Sequence, residues 1–137
     1  NEDIIHTDLN LLYGETYHLL LIKLTLFKHE KCVDILYTEI KQCKYIADNL
    51  CILSLSDIRK ELYELYLKQT NMHNVMKYIV KYLLIHNQNN IELCSTIIKI
   101  AAHYEHQMCL GNKDIYHLEA FVFGIKNKIE QNVLVRN

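Results

Sequence analysis

The chain of 137 residues contains no proline, no tryptophan and only three glycines. Proline breaks helices because it fixes φ and lacks an N–H donor, so nothing in this chain forces a long helix to end. The glycines, Gly14, Gly111 and Gly124, lie too far apart to form the cluster of backbone N–H groups that wraps a phosphate. The sequence therefore favours long helices with few strands, and it excludes a P-loop or a G-x-G-x-x-G dinucleotide site in this chain.

The sequence also lacks a charge excess and a long apolar run. Its formal net charge is −1, whereas a general nucleic-acid binder usually carries a clear basic excess. No run approaches the ~18 uncharged apolar residues of a transmembrane helix, and no secretory signal is visible. Half of the residues are hydrophobic, enough for the core of one domain. We expect neither a membrane segment nor a direct nucleic-acid site, and the start at Asn1 without Met suggests a fragment of a longer protein.

Residues that could carry out chemistry show no supporting pattern. The five cysteines, at positions 32, 43, 51, 94 and 109, include no C-x-x-C pair, so we expect reduced, buried thiols rather than disulfides or a zinc site. His103 and His106 lie three residues apart with no third ligand at a supporting spacing, which disfavours a metal site. Cys94 or Cys109 beside a histidine offers no signature of a nucleophile. The sequence therefore predicts no catalytic, cofactor-binding or metal-ligating residue and no enzyme activity for this chain.

Apolar residues recur at steps of three and four along most of the chain, which predicts an all-α fold with about six helices in a single antiparallel array. The predicted helices run from about Glu15 to His29, from about Lys31 to Asp48, from Ser56, from Asn71 or Asn74, from Asn90 to about Leu110, and from Asn112 onward. Ser and Asn at these starts are good N-caps. Gly111 is expected to close the preceding helix with a left-handed backbone.

The same pattern divides the chain into three segments. Residues 1–15 are weakly patterned and are expected to be a linker or the tail of a preceding domain. Residues 16–131 carry the helical pattern and form the predicted domain. Residues 132–137 follow the last clear apolar position, so we expect them to form a C-terminal tail.

The last predicted helix has two apolar stripes. One stripe contains Ile115, Leu118, Val122, Ile125 and Ile129, and the other contains Tyr116, Ala120 and Phe123. Because a surface helix needs only one such stripe, two indicate burial on two sides. A neighbouring helix and another chain would provide those two sides, or else the helix is central in a monomeric bundle, and the pattern leaves both open. Tyr104 and Met108, on the preceding helix, join Tyr116, Ala120 and Phe123 as candidates for an interface.

Glu119 lies on the apolar flank between Tyr116 and Phe123. A buried carboxylate needs a donor, because otherwise its pKa rises and it becomes neutral. The donors considered from the sequence are a helix N-terminus, a tyrosine hydroxyl, Lys113 or a residue of another subunit. We expect instead that Glu119 faces water at the helix edge, and we keep it among the interface candidates.

Two stretches resemble a known family. The residues from Ala101 to Val122 read AAHYEH and then LGNKDIYHLEAFV, and Leu62–Leu65 read LYEL. They resemble the C-terminal, or collar, domain of the third small subunit of eukaryotic replication factor C, in the clamp-loader family. The resemblance covers roughly Ser56 to Ile129. His103, Cys109 and Asn112 depart from the usual pattern of that family, but none of them belongs to an active site.

The resemblance implies a role in assembly. Five collar domains would hold together a nuclear, pentameric, ATP-dependent clamp loader that places the sliding clamp on primer–template DNA. ATP and Mg²⁺ would bind an AAA+ module outside this chain, and the direct partners would be other replication factor C subunits. Two alternatives are a free-standing helical adaptor, which predicts a stable monomer with an apolar groove, and a small metalloenzyme with metal at His103 and His106.

Overall fold

A computed structural model describes residues 30–111 and 113–136. Within these residues the secondary structure is five α-helices with no strand: α1 Glu30–Asp48, α2 Leu55–Leu67, α3 Met72–His86, α4 Ile91–Leu110 and α5 Asp114–Arg136. The all-α prediction is confirmed, with five helices rather than about six in the described part. The helix predicted from Glu15 to His29 and the predicted linker 1–15 lie outside the described residues. None of the described helices is long and apolar enough to cross a bilayer.

The chain divides into two compact units, Asn1–Lys41 and Gln42–Asn137. In the first unit, the described part is the beginning of α1, where the Lys41 ammonium lies 5.2 Å from the centre of the Tyr37 ring. The second unit contains the end of α1 and all of α2 to α5.

The core of the second unit is built around α5, which packs against α2, α3 and α4. All members of its first predicted stripe are buried: Ile115, Leu118, Val122, Ile125 and Ile129. The facing residues of α2 and α3 include Ile58, Leu62, Leu65, Val75, Ile79 and Leu83, which are also buried. Full burial of one such side chain contributes about 1.5–3 kcal/mol. Phe121, which belongs to neither predicted stripe, is fully buried as well.

Three side chains cap the starts of α2, α3 and α4. Ser54 Oγ accepts the Asp57 N–H at 3.1 Å, so the cap of α2 lies two residues before the predicted cap at Ser56. The prediction was wrong because either serine suits the pattern. Ser54 is the one with the extended backbone of an N-cap, which lets its side-chain oxygen reach the N–H of Asp57 in the first turn. Asn71, rather than Asn74, caps α3. Asn90 caps α4 as predicted, accepting the Leu93 N–H at 3.1 Å. Asn112, the predicted cap of α5, lies outside the described residues.

The left-handed helix end is at the end of α2, not at Gly111. Gln69 has φ 62°, its N–H donates to the Tyr66 carbonyl at 3.0 Å, and the Thr70 N–H donates to the Leu65 carbonyl at 3.2 Å. These two bonds form a Schellman motif. Gly111 has φ −99° and ψ 172°, an extended backbone that any residue adopts, so the predicted left-handed closure is wrong. Glycine fits there because a Cβ would lie 2.9 Å from the His117 ring.

The C-terminal end of the domain is longer than expected. Residues 132–136, which were expected to be a tail, continue α5 to Arg136. A polar tie holds the middle of this helix, because Lys126 Nζ donates to the carbonyls of Leu50 at 2.9 Å and Cys51 at 3.2 Å, just after α1. Lys126 also pairs with Glu130 one turn later at 2.9 Å.

The cysteines are only in part the buried residues that the sequence predicted. Cys43 is buried in the second unit, and Cys94 is half-buried, with its Sγ 3.1 Å from the Asn87 carbonyl. Cys51 and Cys109 are exposed, so the prediction is wrong for these two. Cys51 lies in the turn after α1 and Cys109 on the outer side of α4, where spacing alone does not distinguish a small buried residue from an exposed one.

Candidate interaction surface

A concave surface of about 400 Å³ lies between α2 and α5. It is lined by Arg59 and Tyr63 of α2 and by Tyr116, Glu119, Ala120 and Phe123 of α5. We call it the α2–α5 groove. It brings together four of the six residues that the sequence singled out as interface candidates.

Helix periodicity explains why these residues share one surface. Arg59 and Tyr63 are four residues apart on α2. On α5, Glu119 and Ala120 each lie three or four residues from both Tyr116 and Phe123. Such spacings place side chains on the same side of a helix. Ile58 and Leu62, next to these residues in the sequence, point into the core. The groove therefore runs along the border between the core and the outer surface of the two helices.

The second apolar stripe of α5 is only partly covered by the described part of the chain. Tyr116 is 54% exposed, although it is a large aromatic residue, and Ala120 and Phe123 are half-buried. The first stripe is buried throughout. Thus α5 is central in the domain on one side and borders an open groove on the other. Aromatic side chains in a concave surface are the residue type that interfaces favour.

Glu119 is buried and paired with Arg59. Its relative exposure is 7%, so the expectation that it faces water is wrong. Arg59 donates to Glu119 Oε1 from Nε at 2.7 Å and also from Nη2. The hydrogen bond and the negative charge of Glu119 raise the pKa of Arg59. Arg59 was not among the donors considered from the sequence, because it lies 60 residues away and nothing in the local spacing connects the two.

The pair is asymmetric in exposure, with 61% for the Arg59 side chain and 9% for that of Glu119. A buried carboxylate is costly unless it is paired, and Arg59 supplies the pairing from the solvent side. A guanidinium has five N–H donors in a fixed plane, and only two of its nitrogens contact Glu119. The groove therefore combines aromatic surface with N–H donors available to an acceptor, such as a carboxylate or a backbone carbonyl.

The other two candidates lie elsewhere. Met108 is 2% exposed and belongs to the core, so it is not available to a partner in this fold. Tyr104 is half-buried and lines a second concavity, which we call the α4–α5 groove. Arg59 and Tyr63 are groove residues that the site prediction missed. Tyr63 could have been found from the sequence, because it is a large aromatic residue that lies beside the buried series Ile58, Leu62 and Leu65 and not within it. No feature of the sequence indicated Arg59.

His103 and His106 are both exposed on α4. The ring of His103 meets that of Tyr104 edge-on, with their centres 5.0 Å apart. Among the described residues, no group of three or more His, Cys, Asp or Glu side chains is arranged to hold a metal ion.

Comparison with known proteins matches most of the described helices to one protein family. The family described as "Replication factor C subunit 3, C-terminal domain" matches residues 34–133, which is more than half of the chain. Human replication factor C subunit 3 is 43% identical over 68 residues, which are 50% of this chain and 18% of the human protein. Replication factor C subunit 5 of rice is 40% identical over 65 residues, or 47% of this chain and 18% of that protein. Replication factor C subunit 5 of Schizosaccharomyces pombe is 35% identical over 65 residues, or 47% of this chain and 18% of that protein.

These matches cover a small part of each relative but most of the described helices. The matched range 34–133 begins within α1 and ends near the end of α5, and it contains both grooves. It also contains the whole of the Ala101–Val122 stretch on which the resemblance was based. The chain therefore belongs to the family of the replication factor C subunit 3 C-terminal domain.

Proposed function

We propose that this domain is an oligomerisation, or collar, domain that binds sister subunits of a replication factor C complex through the α2–α5 groove. The parent complex is then a pentameric, nuclear clamp loader that uses ATP to place a sliding clamp on primer–template DNA. ATP and Mg²⁺ would act in an N-terminal module of the parent protein, and the domain described here contributes assembly rather than catalysis. The relatives are named as subunits, which supports a partner made of other subunits.

The observation that carries this proposal is the open aromatic stripe on α5. Tyr116 is 54% exposed beside the half-buried Phe123, while the opposite side of the same helix is fully packed. Leaving such a tyrosine in water gives up hydrophobic stabilisation that a partner surface would recover. Tyrosine and arginine are also the residues most often found to dominate binding energy at interfaces. The exposed guanidinium of Arg59 adds a polar contact at the edge of the same groove.

The experiment is native mass spectrometry of the 137-residue chain mixed with each full-length sister subunit. We expect a defined heteromer with at least one of them. Tyr116→Asp and Phe123→Asp should each weaken it by about tenfold or more, because each places a carboxylate in an apolar contact and next to Glu119. Tyr45→Asp is the matched control, since Tyr45 is also a helical tyrosine of similar exposure, 47%, but lies outside the groove.

Two results would contradict the proposal. The first is a chain that stays monomeric with every full-length sister subunit, which would instead favour the free-standing adaptor. The second is a heteromer that Tyr45→Asp weakens as much as Tyr116→Asp does, which would show that the groove is not the binding surface. Far-UV circular dichroism of each variant establishes that it keeps its helical content, so that a loss of binding is not a loss of folding.

The parent protein offers an independent test. The gene upstream of Asn1 is expected to encode a G-x-x-x-x-G-K-[ST] phosphate-binding loop, because the proposed clamp loader needs an ATPase module that this chain lacks. A long upstream reading frame without such a loop would argue against the clamp-loader role, while leaving the assembly role of the domain to the mass-spectrometry experiment.

A further inference from the structure

The α4–α5 groove is a second concave surface of about 400 Å³, and it shares no residue with the α2–α5 groove. Its lining residues are Lys99, Ile100, His103 and Tyr104 of α4 with Gly124, Asn127 and Lys128 of α5. The half-buried Ile100 and Tyr104 supply an apolar part, and the exposed Lys99 and Lys128 supply charge from the two helices.

Gly124 leaves an opening in the wall of this groove. A Cβ built on it would meet no atom within 4 Å, although the residue is in the interior of the 23-residue helix α5. Glycine destabilises a helix interior relative to alanine, and the space beside it is not filled by the described side chains around it. The opening lies beside Ile100 and Tyr104, so it has an apolar border that suits a bulky apolar side chain.

The charge around the opening is of one sign. No carboxylate is among the lining residues, and neither Lys99 nor Lys128 forms an ion pair within the described residues. Arg59 and Lys126, which also lie at α5, differ in this respect, since they are paired with Glu119 and Glu130. Two ammonium groups that flank an apolar opening and form no ion pair in the described part of the chain complement a ligand that carries carboxylates on either side of an apolar anchor.

We infer that the α4–α5 groove binds an acidic amphipathic peptide helix of a partner protein. A bulky apolar residue of the peptide enters the opening at Gly124, and Asp or Glu residues near it pair with Lys99 and Lys128. Helices recognised in grooves use this combination of apolar anchors at steps of three and four with charged flanks. A nucleic acid fits less well, because it would require a longer basic track and would leave the apolar opening without a partner. The inference does not rest on the proposed collar role, since it uses a separate surface.

The test begins with a selection of displayed helical peptides on the 137-residue chain, with binding to the Gly124→Leu variant removed at each round. We expect the enriched peptides to carry Leu, Phe or Met flanked by Asp or Glu. Fluorescence anisotropy of the best peptide should show that Gly124→Leu weakens binding by about tenfold or more, because the leucine occupies the opening. This variant also replaces a helix-interior glycine, so its melting temperature should not fall. Loss of binding then cannot be attributed to unfolding.

The lysines are tested by charge reversal. The double variant Lys99→Glu, Lys128→Glu should weaken the peptide by about tenfold or more, and added salt should reduce the wild-type affinity. The matched control is Lys60→Glu, Lys77→Glu, which changes the net charge equally at two exposed helical positions outside the groove. This control should leave the affinity within about twofold of the wild type, since it leaves every groove residue in place.

Four results would overturn the inference. They are a selection that enriches no peptide, enriched peptides without an acidic bias, binding that Gly124→Leu leaves unchanged, and a control pair as damaging as the groove pair. The binding of a single-stranded dT oligonucleotide is measured in the same anisotropy assay and compared with the binding of the peptide. Oligonucleotide binding that is stronger than peptide binding and is lost on Gly124→Leu would show that the groove takes a nucleic acid instead.

Discussion

Two phenylalanines on α5 provide a sharp test of which side of the helix belongs to the fold. Phe121 is fully buried, whereas Phe123, two residues later, is half-buried in the α2–α5 groove. They have the same chemistry, lie on the same helix and differ in what surrounds them. We expect Phe121→Ala to destabilise the domain strongly and Phe123→Ala to reduce the binding of a partner with little effect on stability.

The expected magnitudes follow from burial. Removal of a fully buried phenylalanine costs about 3–5 kcal/mol, the sum of lost transfer free energy and the cavity that remains. A half-buried phenylalanine at an open groove leaves little cavity because solvent fills the space, so Phe123→Ala should cost about 1 kcal/mol. Folded domains have only about 5–15 kcal/mol of net stability. Phe121→Ala therefore removes a large fraction of it, and Phe123→Ala a small one.

Urea denaturation followed by far-UV circular dichroism measures both free energies of unfolding, and native mass spectrometry with a sister subunit measures binding. A loss for Phe123→Ala equal to that for Phe121→Ala would refute the reasoning, because it would mean that Phe123 is part of the core. Equal stability of the two variants, with both near the wild type, would refute the central position of α5. Unchanged binding by a stable Phe123→Ala variant would remove Phe123 from the interface.

Three further substitutions test local structure by the same denaturation assay. Gln69→Gly should stabilise the domain by about 1 kcal/mol, because glycine adopts the left-handed backbone at the end of α2 without the steric cost of a Cβ. Gly124→Ala should stabilise it by about 0.5–1 kcal/mol, since the added methyl meets no atom and alanine favours the helix. Ser54→Ala should destabilise it by about 1 kcal/mol, because the Asp57 N–H loses its acceptor at the start of α2.

Each of these has a contrary result and a matched control. Destabilisation by Gln69→Gly would mean that the glutamine side chain makes a contact worth more than its backbone strain. Destabilisation by Gly124→Ala would mean that the space beside α5 is filled. For the cap, Ser56→Ala is the control, because Ser56 is exposed two residues later on the same helix. A larger effect at Ser56 than at Ser54 would move the start of α2 to the position that the sequence suggested.

The buried faces of the helices could be predicted from the sequence, and their ends only in part. Ile115, Leu118 and Val122 follow a helical period that has a single solution, so their burial was predictable. Helix ends depend on one residue, and Ser54 and Ser56 compete for the same role with similar chemistry. The left-handed backbone lies at Gln69 instead of Gly111 for another reason. Glycine permits a left-handed backbone but does not require it, and the hydrogen bonds that end α2 impose one on a glutamine instead.

The candidate site was predictable on one helix but not across two. The stripe of Tyr116, Ala120 and Phe123 was visible from spacing within α5, and the structure places all three in one groove. The other wall comes from Arg59 and Tyr63, which are brought there by the packing of α2 on α5. Tyr104 and Met108 are four residues apart and so share one side of α4, but tertiary packing leaves Tyr104 at the edge of a groove and encloses Met108 in the core.

The position of both grooves depends on how α5 is held about its own axis. Hydrophobic packing is non-directional, and an axial turn of α5 by one residue, about 100°, would move Phe121 outward and the groove residues inward. Two directional ties oppose such a turn. Arg59 holds Glu119 from α2, and the carbonyls of Leu50 and Cys51 hold Lys126 just after α1. They lie seven residues apart on α5, close to two helical turns, so both emerge on nearly the same side of the helix. The buried carboxylate of Glu119, costly in an apolar setting, thus acts together with Lys126 to keep one stripe in the core and the other at the α2–α5 groove.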